Sequence, residues 1–380
     1  MITRRMLLSG TAGLAAGSLL TGCGPAADAL KIRVLSGSVP AEVLQRFRKQ
    51  SDRPVSFQVA AQMASVFQQL QDWQRAPESG FSVRRLLPWM DAVALPRPDD
   101  LVSLGDYWLT GAISQDLIDP FSLPTETLAK LPPAWQQLSQ TGTSDEKALW
   151  AVPYKVQALV VIYRKSQLSS ILSLPFNTWK GLLQPSLQRK IALPDHPRLV
   201  MGLVQKMQTG SFNLGGEADQ REDFVPGPEL AELFAQLNRQ VKTYDSDSSL
   251  KALINEDVDV AVSWSGDAVA ALAQYRDLKA VLPAEGSLLS ADMWVRPKGA
   301  PMSEAAQQWI DFCWQAEPAT RISSSGSGLS PIFLDRNATL PSALADSLLS
   351  RPGITGSEPL LPWPETVQAA YEQIWQQRSG

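Results

Sequence analysis

Histidine and cysteine are nearly missing from this 380-residue chain, which has one His, His196, and two Cys, Cys23 and Cys313. That inventory cannot build a Cys/His zinc site or a thiolate-held iron–sulfur cluster, and neither a metal nor a cofactor is expected. Without a cysteine framework, stability has to come from a packed core. No long basic run is present, and 34 Lys and Arg stand against 38 Asp and Glu, a net charge of −4. The electrostatic footprint of a nucleic-acid partner is therefore absent. Also missing are the Gly-x-x-x-x-Gly-Lys-Ser/Thr loop, a strand-linked Gly-x-Gly-x-x-Gly and the Gly-x-Ser-x-Gly turn, so nucleotide cradling and serine-triad catalysis have little footing. What the chain does have is 44% apolar and 19% charged residues, the composition of a folded globular protein. Its length fits two domains at about 150 residues each.

Arg4 and Arg5 precede an apolar run, Met6 to Leu20, that ends at Leu20-Thr21-Gly22-Cys23. The run falls short of the ~20 residues that cross a bilayer as a helix, and it reads as an export signal over residues 1–22. Leu-Thr-Gly-Cys resembles the lipobox of bacterial lipoproteins, which would make Cys23 the lipid-modified mature N-terminus and residues 23–29 a tether. Thr3-Arg4-Arg5-Met6-Leu7-Leu8 also resembles a twin-arginine export motif, and the ordinary secretory route stays equally open. Loss of Arg4 and Arg5 leaves 32 basic and 38 acidic side chains, a charge of −6. Cys313, in Trp309-Ile310-Asp311-Phe312-Cys313-Trp314, is expected to be a buried, inert thiol.

Strand and helix alternate from Leu30 onward. Leu30–Leu35 and Val55–Ala60 read as strands, Ala41–Gln50 and Met63–Trp73 as helices, and Asp91–Leu95 as a third, fully apolar strand. This alternation predicts an α/β fold with a mostly parallel sheet flanked by helices, its ligands bound beyond the carboxyl ends of the strands. The Ser36-Gly37-Ser38 turn lies at such an end. Trp150–Tyr154 and the apolar run Ala158–Tyr163 look like a crossing between lobes, and Leu288–Val295 like the return. Helices are expected over Arg198–Gln208, Glu229–Val241, Ser303–Trp314 and Pro364–Gln377, and a strand over Val258–Trp264. Residues 30–156 with 291–330 would make one lobe, and 157–290 with 331–380 the other.

Few residues carry chemistry. Trp264 ends an apolar strand ahead of Ser265-Gly266-Asp267, where an indole can stack on a planar group or hold an ammonium, although core packing would explain it too. Asp292 sits in an otherwise apolar stretch and needs either a cation or backbone N–H donors. His196 follows Asp195 on a loop and either lines a site or caps the helix after it. Most other tryptophans, such as Trp309, Trp314 and Trp375, fall on helices where packing suffices.

Taken in order, these segments resemble bacterial extracellular solute-binding family 1, the type II periplasmic binding proteins of ABC importers, nearest the spermidine/putrescine branch. The carriers are Ser36–Pro40, Trp150–Tyr154, Phe176–Leu183, Lys190–Asp195, Asp257–Asp267, Asp292 and Tyr371–Trp375. The resemblance implies two lobes closing on a solute, with Trp264 matching a tryptophan that stacks on the polyamine and Asp292 an aspartate that pairs with an amine. Ser36, Ser38, Tyr154, His196 and Asp267 would complete the ligand-binding set. Leu35, Ser38, His196, Leu199 and Ser290 depart from the family pattern by removing acids and aromatics, and Lys155 adds a cation. The expectation is a non-enzymatic receptor for a small polar or cationic, polyamine-like solute. It would be a monomer in the periplasm, held to the membrane only by its lipid anchor, serving a permease and ATPase complex. Rival readings are a sensory or assembly lipoprotein, and a secreted hydrolase using Asp195 and His196 with Asp267 or Asp292.

Overall fold

The computed structural model describes residues 29–75, 97–122, 129, 131–140, 148–168, 176–214, 226–245, 248–325, 328–334, 339–344, 347–349, 354, 356–361, 363 and 365–379. The expected export signal, Cys23 and the strand expected over Asp91–Leu95 lie outside these residues.

Among the described residues, eleven strands form one continuous sheet. They are β1 (Leu30–Leu35), β2 (Val55–Ala60), β3 (Leu101–Gly105), β4 (Ile118–Asp119), β5 (Ala151–Arg164), β6 (Ile191–Pro194), β7 (Val241–Asp245), β8 (Val260–Trp264), β9 (Leu278–Val281), β10 (Leu288–Pro297) and β11 (Glu358–Pro359). The main path runs β2-β1-β3-β10-β5-β8-β6-β7. At each end of the path the neighbours are parallel, β1 with β2 and β3, and β6 with β7 and β8. Along this path the two central strands, β10 and β5, run antiparallel to their neighbours, while β11 pairs parallel with β10. The expected α/β class is thus present as a mixed sheet.

The two runs expected as a crossing are a single strand. β5 pairs with β10 over Ala151–Ala158 and with β8 and β9 from Leu159 onward. Its apolar residues divide at that point. Ala158 and everything before it packs in a first core, which also holds Leu289–Val295 and reaches Leu349. Leu159 and Val161 pack on one face of the second half-sheet and Val160 and Ile162 on the other, as a period of two requires. Leu288 and the last helix, Glu365–Gln376, belong to that second half. Phe333, Leu344 and Leu349, expected with the second lobe, pack in the first core.

The helices form where side chains recur on one face. Val43 and Phe47 are the buried residues of Ala41–Gln50, which carries Glu42 in its first turn and Arg48 and Lys49 in its last, both favourable to the helix dipole. Pro197–Thr209 starts with proline and stops at Gly210, whose φ of 85° only glycine adopts without strain. Cys313 is fully buried, and the Trp314 indole donates to the Pro153 carbonyl at 2.9 Å. Among the described residues, no helix is long and apolar enough to cross a membrane.

Candidate functional site

Four strand ends face the region where the two cores meet. β1 ends at Ser36-Gly37-Ser38, with Gly37 at a φ of 70°. The Ser36 N–H donates to the Ala60 carbonyl and the Ser38 N–H to Leu35. β3 ends at Gly105 and opens directly into helix Asp106–Ser114, β6 leads through Asp195 and His196 into Pro197–Thr209, and β8 ends at Trp264 ahead of Ser265–Gln274.

The first core contributes a largely buried, charge-paired wall. Asp292 on β10 is cross-strand partner to Lys155 on β5, beside a register shift between Asp292 and Met293. Both side chains are buried, and the Lys155 Nζ lies 2.9 Å from Asp292 Oδ2. Asp106, in the first turn of its helix, accepts from Ser290 Oγ at 2.7 Å, the Tyr107 N–H at 2.8 Å and the Ala291 N–H at 3.2 Å. Burial raises its pKa to about 6 against the pull of those donors, with the Asp292 charge adding to the rise. Tyr154 is fully buried, stacked on Trp294 at 4.1 Å between ring centroids, and shares a 2.7 Å hydrogen bond with Ser103. Burial and then the Asp292 carboxylate push its phenol well above the ordinary value, with the Ser103 and Ser38 hydroxyls pulling the other way. Tyr154 therefore supports the wall from behind rather than offering its hydroxyl to a solute. Ser38 is fully buried as well, while Ser36 stays exposed on the turn.

The second core contributes a more exposed wall. Trp264 is half-buried against that core. Asp267, in the first turn of Ser265–Gln274, is reached by solvent yet hemmed in by protein, so desolvation raises its pKa while the Lys155 charge lowers it. Lys155 thus acts on carboxylates of both walls. Asp106, Asp267 and Asp292 share this neighbourhood, but among the described residues no group of three or more His, Cys, Asp or Glu is placed to hold a metal ion.

His196 takes the capping role, one of the two the sequence left open. Its Nδ1 accepts from the Leu199 N–H at 3.4 Å as the helix N-cap. Its ring also meets the exposed Tyr107 of the opposite wall edge-on at 4.7 Å. Burial, then the nearby Arg198, lowers its pKa and favours the neutral ring the cap requires. Asp195 pairs with Arg378 at 3.5 Å.

Sequence reasoning missed Asp106, Tyr107 and the pairing of Lys155 with Asp292. The signal for Asp106 was an acid opening a helix straight after a short apolar strand, the pattern that drew attention to Asp267.

A family model described as bacterial extracellular solute-binding protein matches residues 91–346, more than half of the chain, as the resemblance read from the sequence implied. The putrescine-binding periplasmic protein PotF of Escherichia coli is 24% identical over 210 residues, covering 50% of this chain and 55% of that protein. The chain thus spans just over half the length of the curated relatives it matches. The spermidine/putrescine ABC transporter substrate-binding protein PotD of Streptococcus pneumoniae superposes with a TM-score of 0.69 at 18% identity, over 93% of this chain and 98% of that one. The TpPotD lipoprotein of Treponema pallidum superposes with a TM-score of 0.62 at 15% identity, over 92% and 99%. The fold is that of the type II periplasmic binding proteins.

Proposed function

This chain belongs to the family of bacterial extracellular solute-binding proteins, and we propose that it is the receptor of an ABC importer. It captures a small, polar, positively charged amine and hands it to a membrane permease and its ATPase. The observation that carries this reading is the cluster of acids where the two cores meet: Asp292 pairs with the ammonium of Lys155, Asp267 feels that ammonium's charge, and Asp106 feels the charge of Asp292. A cluster of carboxylates partly shielded from water favours a cation over a neutral or anionic guest. Trp264, at the end of β8, adds an indole face on which an ammonium or an alkyl chain can lie.

Residues 30–158 and 289–349 would form one lobe, and 159–288 with the last helix the other. The strands β5 and β10 are the flexing elements between them, and closure brings Asp267 and Trp264 onto the first wall. Of the residues expected to bind solute, Trp264, Asp267 and Asp292 fit direct roles, and Ser36 a rim contact. Ser38 and Tyr154 hold the first wall, and His196 with Tyr107 closes the entrance. Export and lipid attachment at Cys23 would place a monomeric receptor at the membrane surface without a spanning helix.

A thermal-shift screen against putrescine, spermidine, monoamines, amino acids, sugars and common anions tests the reading. A midpoint that climbs with the concentration of a cationic solute supports it. A shift by a sugar or an anion alone, or silence across the whole panel, would count against it.

A further inference from the structure

Lys155 is an odd occupant for a site that gathers carboxylates. A buried ion pair is weak evidence for stability, since desolvation of both charges offsets much of their attraction. This pair is nevertheless housed with care. The aliphatic stem of Lys155 lies against Gly328, where an added Cβ would sit 2.8 Å from Lys155 Cγ and 2.6 Å from the Val156 carbonyl oxygen. Reciprocal 2.7 Å hydrogen bonds between Val156 and Leu329 hold that segment over the strand. The stem is thereby confined to a slot that points its ammonium at Asp292, and only 4% of the lysine side chain is exposed.

The three acids are consequently in different states. Asp292 already has its cation, and Asp106 has three hydrogen-bond donors. Asp267 has no ion-pair partner within 4 Å among the described residues, and it stands one turn from Trp264.

Building on the solute-binding reading, we infer that Lys155 is a specificity-determining residue: its ammonium fills the place beside Asp292 that a second ammonium of the solute would take. The cleft then selects a solute carrying one positive charge, held by Asp267 and Trp264, over a diamine or longer polyamine. A second ammonium in such a solute would meet a neutralised carboxylate and the like charge of Lys155. That contact is unfavourable in a region shielded from water.

Putrescine and 4-amino-1-butanol make a matched pair of probes, equal in chain length and differing by one ammonium for one hydroxyl. Titration calorimetry on the full chain in mild detergent is expected to show 4-amino-1-butanol binding at least tenfold tighter than putrescine. Lys155→Met should raise putrescine affinity at least tenfold and reverse the order. Adding Asp292→Leu to that variant should abolish the gain. If Lys155→Met does not fold, Lys155→Gln tests the same step with a neutral, polar side chain. Wild-type protein that binds putrescine as tightly as 4-amino-1-butanol, or a folded Lys155 variant with no gain for putrescine, would overturn the inference. So would failure of both amines to bind any folded variant. In that case the solute screen separates the two ideas, because a hit on another cationic solute keeps the receptor and discards only the role of Lys155.

Discussion

The two walls of the cleft are built on opposite terms. On the first, Lys155 and Asp292 are already an ion pair before any solute arrives and Asp106 already has three donors, over the stacked Tyr154 and Trp294. On the second, Asp267 and the half-buried Trp264 keep contacts to spare, and His196 spends one ring nitrogen on its own helix. A wall whose charges are already matched resists rearrangement, whereas a wall with unspent groups can engage something new. Selection by rejection suits the first and capture suits the second.

The largest effect should come from breaking the first wall. Asp292→Ala leaves the Lys155 ammonium buried and unpaired, and a loss of about 3–5 kcal/mol in urea unfolding is expected. A loss below about 1 kcal/mol would mean that the wall is not preorganised, and the contrast would collapse. On the second wall, His196→Ala removes an N-cap and should lower stability by about 1 kcal/mol, with Asn restoring most of it.

Titration should set the walls against each other. Burial raises Asp106 to about 6, above the value of a free carboxyl. Its contribution to stability is therefore full below about pH 4 and is lost as pH rises through 6. Burial lowers His196. Its contribution is full above the ordinary value near 6.5 and is lost as pH falls through the lower folded value, where protonation also takes the lone pair that caps the helix. Between pH 7 and 5, Asp106→Asn should steepen the loss of stability by about 1 kcal/mol, and His196→Asn should flatten it. Parallel curves for the two variants in thermal unfolding would deny the opposition. The smallest effect belongs to Asp267→Asn, which should move stability by less than about 0.5 kcal/mol while weakening solute binding in calorimetry.

Much of the fold was legible because its early elements obey simple periods. β1 and β2 alternate or run apolar between turn residues, and Val43 with Phe47 marks a helix face. β3 escaped notice because Leu101-Val102-Ser103-Leu104-Gly105 is short, carries a serine and lies between acids, while Asp91–Leu95 offers a longer apolar run. Without β3, Asp106 had no strand end to stand on. Trp264 and Asp267 were readable because the strand, turn and helix that place them are contiguous. Lys155 and Asp292 each announced a need, a lone charge in an apolar strand, but their meeting depends on the register of β5 against β10. Register between strands so far apart in sequence is a property of the assembled sheet, and local patterns do not encode it. Tyr154 misled for a related reason, since its polar tip looked available until Ser103 and Trp294 claimed it.

Cys313 gives the first core its own clock. Burial holds its thiol well above the ordinary pKa, and the surrounding helix and sheet exclude reagents. Only the thiolate reacts with an alkylating probe, so label reaches Cys313 only when that core opens. The described part of the second core has no thiol, so the rate of Cys313 labelling reports the opening of one half of the molecule, read against the optical signal of the whole. If β5 and β10 weld the halves into one cooperative unit, the two rates will coincide. If the halves breathe separately, the thiol will keep its own time.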